Sequence, residues 1–573
     1  MGNLRITKFS VTNYKVFSEK FTIDFSADSI AILTGRNNTG KSTILEAINC
    51  FFVKDTKTNT IASDCFSDTN NEIILEAEFL SGEESHTFFK KYQAGSLPKY
   101  YGTDTKEIKA KHPEKDIFDE IINNKPYYIT PAMTTEDINQ LIQTMYSQII
   151  KSKLEKIELE IADEDPDYEI MKREYDQIRK AYPIFLKKLK KSIDLVLDKV
   201  SNDVSGDLRK LFSNDELALE VLGGESDGFS ASDLVKSTSS SIVIDSNRQK
   251  QMPLANQGTG LQRMSLIYLI QNMIQNKLLG NTEEKLLLID EPEAFLHPEA
   301  VRALSRSLYE IGARMPLMIS THSPVLIDLA EKHTSIQVFR VGENKAIQLY
   351  KSATTQFDDN DIKNMKILNY VDSYINEFFF ADKIVIVEGD TEYIAFKHFF
   401  KEKNVNIHII RARGKATICT LMKILNQFNT NYDVIHDVDN NYKFSSKTLQ
   451  AQLTNCKNIL KLKISNNIRI FSSVSNFEEA IGIGEIENSK KTQTIYNILN
   501  EVATSGVYKE ARKKVENLFD IITNQKEINQ LDDGFKGITS EQDYEDFFIG
   551  LIAEKKKEER EQQEQVNNEE NVK

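Results

Sequence analysis

The 573-residue chain contains no tryptophan and only four cysteines. Cys50, Cys65, Cys419 and Cys456 show no C-x-x-C spacing, so neither a disulfide framework nor a thiolate zinc site is indicated, and a reducing cytosol fits. A run of eighteen apolar residues is also lacking, which argues against a membrane-spanning helix. Met1–Ser10 has no charged stretch followed by an apolar one, so no secretory leader is expected. Basic charge is in deficit. The 72 Lys and Arg against 86 Asp and Glu give a net charge of −14, which excludes a uniformly basic nucleic-acid coat but leaves room for a local basic groove. Internal repeats are absent too. Secretion, membrane transport and a disulfide scaffold drop out, and a cytoplasmic protein is expected.

What is present is long and globular in composition. With 40% hydrophobic residues, the chain exceeds one ordinary core, and a domain size of about 150 residues suggests roughly three to four domains. Alternation predicts strands at Leu4–Val11, Phe21–Phe25 and Glu72–Leu80. Short apolar runs predict buried strands at Ser29–Thr34, Leu286–Ile289 and Leu317–Ser320, with helices over Ser42–Phe52 and Leu261–Leu278. Further strands are expected at Glu216–Leu222 and Ser241–Ile244. Ile336–Val341 and Ala346–Tyr350 flank Gly342-Glu343-Asn344 as a hairpin. Between them, 134–212 turns helical. Thr134 or Thr135 caps its start ahead of Glu136 and Asp137, and Pro166 and Pro183 are expected to break it into about three helices. It reads either as a solvated hairpin or as a dimerisation arm, with Leu186, Leu189, Ile193 and Leu197 on one face.

A second α/β pattern follows a polar linker at 352–378. It has strands at Lys383–Val387, Ile407–Ile410 and Asp433–His436, and helices at Thr391–Lys401 and Thr417–Phe428. The tail, 554–573, is almost wholly charged and amide residues, and is expected to be a frayed helix or disordered. The expected organisation is an N-terminal unit at 1–133 resumed at 213–351, the helical insertion at 134–212, and a final domain at 379–553.

Four motifs in the first half carry phosphate chemistry. Gly35-Arg36-Asn37-Asn38-Thr39-Gly40-Lys41-Ser42 is a complete G-x-x-x-x-G-K-[ST] between a strand and a helix. Its glycines let backbone N–H groups close on a phosphate, Lys41 supplies charge, and Ser42 suits Mg²⁺. Gly35, Asn38, Thr39, Gly40, Lys41, Ser42 and Thr43 are therefore the nucleotide-binding candidates. Leu286-Leu287-Leu288-Ile289 ends at Asp290 and Glu291, on the sheet edge where open α/β sheets bind ligands. Asp290 suits Mg²⁺, and Glu291 suits polarising the attacking water. His322, in Ser320-Thr321-His322-Ser323-Pro324, is placed to meet a γ-phosphate, although a lone histidine is more often structural. Gly258-Thr259-Gly260 opens a helix whose N-terminus could meet a phosphate, or is simply a helix-start turn.

Taken in order with Asn13-Tyr14-Lys15-Val16-Phe17 and Glu293-Ala294-Phe295-Leu296-His297-Pro298, these motifs resemble an ABC-type ATPase head of the RecF/SMC kind over about residues 1–345. The resemblance implies ATP held between the Walker residues of one subunit and the Gly258–Gly260 signature of another, hence a homodimer or homotetramer.

In the second half, Val387-Glu388-Gly389-Asp390-Thr391-Glu392 follows a buried strand and starts a helix, and Asp437-Val438-Asp439 ends another strand. Such carboxylates repel one another unless cations share them, and hard oxygen ligands suit Mg²⁺ or Mn²⁺. This half resembles a Toprim domain. The combination is similar to the OLD (overcoming lysogenization defect) family of nucleases, which includes the nuclease subunit of the Gabija anti-phage system. Asn440 and Asn441 stand where topoisomerases and primases often carry a third aspartate. The resemblance implies a metal set of Glu388, Glu392, Asp437, Asp439 and Glu478, a basic residue at Lys513 or Lys514, DNA as substrate, and a neighbouring-gene partner such as a UvrD-like helicase. Gly414-Lys415 either bends toward DNA or is a plain turn. The expected fold is thus α/β: an ABC-type head with a helical insertion, then a Toprim domain. A non-cleaving repair ATPase and a nucleotide sensor acting within a complex are the rival readings.

Overall fold

The computed structural model describes the chain except for residues 1–3, 25–29, 36, 58–59, 135–136, 139, 142–143, 146–167, 213, 223–240, 247–248, 276–284, 329–335, 342–345, 349–357, 362, 365, 367–372, 382, 406, 428–429, 501–505 and 571–573. Arg36, Thr135, Glu136, Pro166, the Gly342-Glu343-Asn344 turn and the start of the linker lie outside the described residues. The chain forms two compact units, Met1–Ile327 with Ser335–Gln348, and Asp328–Thr334 with Leu349–Lys573.

The first unit runs β1 (Leu4–Thr12), β2 (Phe21–Asp24), β3 (Ile30–Thr34), α1 (Lys41–Phe52), β4 (Ile73–Ser81), β5 (Glu84–Tyr92), β6 (Lys99–Tyr101), α2 (Lys115–Asn123) and β7 (Tyr127–Ile129). It continues with α3 (Tyr168–Phe212), β8 (Ala218–Leu222), β9 (Ser241–Ser246), β10 (Gln249–Pro253), α4 (Thr259–Gln275), β11 (Leu287–Asp290), α5 (Pro298–Gly312), β12 (Leu317–Ser320), β13 (Ile336–Val341) and β14 (Ala346–Gln348). Strands β3, β11 and β12 are buried at every residue. That is the signature of central parallel strands covered on both faces, and they sit together in the sheet ordered β14-β13-β3-β12-β11-β7. Strand β4 instead alternates buried and half-buried residues, and lies in an antiparallel sheet ordered β2-β1-β4-β5-β6. Helix α1 contributes Ile44, Leu45, Ile48 and Phe51 to a core shared with Val11 and Leu75 of one sheet and Leu33, Leu288 and Met318 of the other. The P-loop is thereby fixed at the top of a helix clamped from two sides.

Pro183 does not break the insertion, contrary to the sequence expectation: α3 is one helix from Tyr168 to Phe212. A proline inside a helix costs about 3 kcal/mol. Burial of Leu197, Val200, Val204 and Leu208, where α3 packs on β8 and α4, offsets that cost. At the start of the insertion Thr134 exchanges capping hydrogen bonds with Asp137.

The second unit runs β15 (Ile384–Val387), α6 (Asp390–Lys403), β16 (His408–Arg411), α7 (Lys415–Gln427), β17 (Tyr432–Asp437), α8 (Ser446–Lys461), β18 (Arg469–Ser473), the single turn α9 (Phe477–Ala480), α10 (Asn488–Asn500), α11 (Gly506–Ile522), β19 (Phe535–Ile538) and α12 (Glu541–Glu570). The sheet order is β16-β15-β17-β18-β19, parallel except for β19. From β15 the chain goes to one side, then returns to the other. The crevice at the carboxyl ends of β15 and β17 is therefore the switch point where α/β sheets bind ligands. The charged tail, expected to be frayed or disordered, is helical through Glu570. Ser446 donates to Glu559, and Tyr442 to Glu558, which anchors its first half.

Candidate nucleotide and metal sites

In the first unit, β3 stops at Thr34 and the loop turns through Gly35 (φ 134°), Asn38 (φ 61°) and Gly40 (φ 95°). A Cβ at Gly40 would lie 2.5 Å from the Phe17 ring, so the aromatic of the Asn13–Phe17 motif buttresses the loop and forbids a side chain there. Lys41 is buried and donates to the Gly35 carbonyl at 3.0 Å. Burial pulls its ammonium down to about 8, while Glu291, Asp290 and Glu293 act in the opposite sense. Ser42 Oγ donates to Asp290 Oδ1 at 2.8 Å, and Ser320 donates to the same oxygen. The two residues expected to hold a metal with the nucleotide are thus already in contact.

Glu291 has a left-handed backbone (φ 44°), tied by its N–H to the Ser320 carbonyl at 3.0 Å. Its Oε1 lies 3.8 Å from His322 Nε2. Burial, then the nearby Lys41, holds the imidazole below its ordinary value, so His322 is neutral at pH 7. Two further residues organise this edge without a role in the sequence reading. Glu293 Oε1 accepts from Thr321 Oγ1 (2.8 Å) and from the His322 N–H (2.7 Å), and so holds the histidine loop. Arg263 on α4 donates to the carbonyls of Glu291 (2.8 Å) and Ala294 (3.2 Å), which ties the signature helix to the strand end carrying Asp290. Gly258 and Thr259, at the N-terminus of α4, are exposed. Gly260 passes under Phe295, where a Cβ would lie 2.9 Å from the carbonyl oxygen.

In the second unit, the switch point gathers five carboxylates. Glu388 follows β15 and accepts the Asp437 N–H at 3.0 Å. Glu392, in the first turn of α6, is buried, and Gly389 leaves space for it: a Cβ there would stand 3.0 Å from Glu392 Oε2. Asp439 follows β17 with φ 59°, its N–H bound to the Ser475 carbonyl at 2.7 Å. Glu478, on α9, accepts from Thr391 Oγ1 at 3.0 Å. Its neighbour Glu479 instead engages Asn476, the cap of that turn. Burial, then mutual repulsion among the acids, pushes Glu392 up to about 8 and Asp437 well above the usual carboxylate range; Glu388 is also raised. The solvent-shielded Asp437 Oδ1 has no hydrogen-bond partner. An orphaned carboxylate oxygen beside other acids that retain protons is what a divalent-cation site presents before loading, so the residues fit the expected metal.

The basic residues differ from expectation. Lys513 is exposed, and Lys514 reaches the carbonyls of Ala480 and Asp533, each at 3.4 Å, rather than a carboxylate. Lys415 and Lys491 take that place. Lys415 bonds Asp439 and lies 3.6 Å from Glu388 Oε1, and Lys491 donates to Glu478 Oε2 at 2.9 Å. Lys415 stood in the sequence as a turn residue of open meaning. Lys491 had no motif to mark it and arrives through the fold of α10.

Two other polar groups do not make sites. Asp104, His112 and Glu114 come within ligand distance of one another. However, His112 Nδ1 accepts the Glu114 N–H at 3.2 Å, which leaves the proton on Nε2, facing Asp104 at 3.0 Å. A cavity lined by Lys383, Asp433, Arg469 and four asparagines lies at the opposite sheet edge. Its Arg469 spends its donors on Asp433, Asn524 and the carbonyls of Ile521 and Ile522.

A glycine loop on a parallel strand, faced by a strand-end Asp-Glu pair, defines a P-loop ATPase, and the acids at a Toprim-like switch point define a metal-binding second unit. The chain belongs to the AAA ATPase domain family, whose model matches residues 4–205 and 132–327. Residues 379–439 match the overcoming lysogenization defect protein-like TOPRIM domain. The Old nuclease of Escherichia phage P2 is 26% identical over 285 residues, covering 44% of this chain and 46% of that protein. Endonuclease GajA of Bacillus cereus (strain HuB5-5) is 22% identical over 260 residues, covering 38% of this chain and 37% of that one. The chain thus spans less than half the length of these curated relatives. The Smc head domain of Pyrococcus furiosus aligns at a TM-score of 0.40 and 16% identity, over 64% of this chain and 99% of that one. The resemblance to OLD-type nucleases is borne out at modest identity, and the two domains imply use of a nucleotide and of a divalent metal. Among the described residues, no helix is long and apolar enough to cross a membrane.

Proposed function

We propose that the chain is an ATP-binding and ATP-hydrolysing DNA endonuclease dependent on Mg²⁺ or Mn²⁺, which works as a homodimer or homotetramer in the cytoplasm. The observation that carries this reading is the convergence of Glu388, Glu392, Asp437, Asp439 and Glu478 on one sheet edge, with Asp437 Oδ1 unpartnered. A bound divalent cation would polarise the scissile phosphodiester and lower the pKa of the attacking water. The chain's own acids would orient it: Glu388 and Asp437 from the strand ends, Asp439 from the loop after β17 and Glu478 from α9.

In the first unit, Lys41 would meet the β/γ-phosphates, Ser42 and Asp290 would share Mg²⁺, and Glu291 with His322 would align water against the γ-phosphate. The exposed Gly258–Thr259 helix start supports a site completed by a second copy. Relatives named as nucleases favour cleavage over a tethering or sensing role, and the proposal extends to a role in anti-phage defence or DNA processing, alone or with a neighbouring-gene partner such as a UvrD-like helicase. The test is conversion of supercoiled plasmid to nicked and linear forms with Mg²⁺, Mn²⁺, Ca²⁺ or EDTA. Mn²⁺ should cut at least as well as Mg²⁺, and Ca²⁺ little. Absence of metal-dependent cutting by the full chain, with and without ATP, would leave the sensor or repair reading in its place.

A further inference from the structure

The five acids of the second unit do not stand alone. They divide into two halves, and each half already holds an ammonium. On one side Lys415, from the first turn of α7, is buried; it bonds Asp439 and stands 3.6 Å from Glu388. On the other side Lys491, on α10, donates to Glu478 Oε2 at 2.9 Å, while Thr391 takes the other oxygen of Glu478. Lys491 also feels Asp437 and Glu392. A lysine ammonium and a divalent cation ask the same thing of a carboxylate. A carboxylate already neutralised by an ammonium of its own chain attracts a divalent cation less strongly, so the metal must outcompete that ammonium for it.

We propose that Lys491 is a resident cation of the nuclease centre: it holds Glu478 in the metal-free protein, competes with the divalent metal for that half of the acid set, and is released toward the DNA phosphate when the metal binds. Lys415 stands in the same relation to Asp439. This inference rests on the metal-dependent reading above. It differs from that reading in assigning the basic function to α10 rather than to Lys513 or Lys514, and in making metal binding an exchange of one cation for another.

The distinguishing consequence is a pair of opposite signs. If Lys491 only supported the fold, removing it would weaken metal binding and cleavage together. If it competes, removing its charge raises metal affinity while lowering cleavage, because the cluster becomes more negative and the phosphate loses its cation.

The experiment uses the full chain without nucleotide. Mn²⁺ binding is followed by the EPR signal of free Mn²⁺, in wild type, Lys491→Met, Lys491→Arg and Asp437→Ala. Lys491→Met should bind Mn²⁺ on the order of tenfold more tightly at the weaker step, and Lys491→Arg should stay near wild type because the charge is kept. Asp437→Ala should lose Mn²⁺, which marks the site being read. Thermal unfolding and ATP binding check that each variant is folded. Equal or weaker Mn²⁺ affinity in a folded Lys491→Met would overturn the exchange while leaving the nuclease reading intact. Mn²⁺ binding that is indifferent to Asp437→Ala would remove the metal reading and this inference with it.

Discussion

The two units use lysine in opposite electrostatic settings. Lys41 lies in a glycine loop with its carboxylates across the site, and burial dominates, so its ammonium is pulled down to about 8. Lys415 and Lys491 are also penalised by burial, yet the carboxylates they touch outweigh it and hold them above the ordinary lysine value. The first arrangement is a cation waiting for an anion: a polyphosphate restores what burial removed. The second is a set of anions waiting for cations, with lysines occupying part of that demand. One site should be organised by its nucleotide, the other by its metal.

The largest expected effect tests whether the two sites are chemically separate. Asp437→Ala with Asp439→Ala should abolish plasmid nicking while ATP hydrolysis continues, because the acids and the P-loop lie in different compact units. Cutting that survives in the double variant, with contaminating nuclease excluded by a mock purification, would end the Toprim assignment. The mirror-image variants act on the first unit. Glu291→Gln should slow ATP hydrolysis by roughly 100-fold to 10,000-fold, the span for loss of a positioned base, with nucleotide still bound. Lys41→Ala should weaken ATP binding by roughly 100-fold, as expected for loss of a charge-assisted hydrogen bond of up to about 3 kcal/mol. Nucleotide affinity unchanged in Lys41→Ala, measured by titration calorimetry, would count against the P-loop assignment.

A pH series sharpens the contrast. Glu392 keeps its proton to about 8 in the folded state, against about 4.3 when unfolded. Between those values the native state binds more protons than the unfolded state, so this group's contribution to stability is full below the unfolded value and is lost as pH rises through about 8. Lys41 has the reverse sign. Its folded value near 8 lies below the unfolded 10.5, so its penalty is fully present below 8 and is relieved as pH rises from about 8 toward 10.5. Melting curves in EDTA should therefore show the second unit losing stability from about pH 5 to 8. Ca²⁺ should remove much of that loss by taking the place of the proton. A second-unit transition that ignores both pH and Ca²⁺ would contradict the buried, protonated acid set.

How much of this was legible in the sequence depends on whether a residue's position is set locally or by the fold. Asp290, Glu291, Glu388 and Asp437 each end or follow a short apolar strand, and a strand end places its side chain at a sheet edge whatever the rest of the chain does; Lys41, the first residue of α1, was legible from the glycine loop before it. Glu478 was reached through family likeness, and the capping of α9 by Asn476 explains why it, and not Glu479, turns inward. Lys513 and Lys514 were placed through family likeness alone, and it is Lys415 and Lys491 that the fold sets against the acids, because a sequence pattern does not say which helix lies over them. Strand β19 went unseen because Phe535-Lys536-Gly537-Ile538 is a four-residue edge without alternation. Pro183 misled because a local penalty was weighed without the packing of the other half of α3.

The smallest effect concerns assembly. Removing all of 134–212 would be a poor test of a dimerisation arm, since Leu197, Val200, Val204 and Leu208 belong to the core of the first unit. The outward part of α3 offers a cleaner one. Ile184 and Leu195 are 61% and 63% exposed, and they stand eleven residues apart, close to three full turns, so they share a face. Leu186, Leu189 and Ile193, the other residues of the expected stripe, have side chains outside the described set. Two large apolar residues left in water on one side of a long helix are what a second copy would cover, and each covered side chain contributes on the order of 2 kcal/mol. Ile184→Lys and Leu195→Lys should therefore each weaken self-association by on the order of tenfold, seen by sedimentation at decreasing concentration. The melting temperature of the monomer should hardly change, because neither side chain is part of the core. An unchanged assembly in the double variant would make the arm a solvated helix and leave the exposed Gly258–Thr259 edge as the place where copies meet.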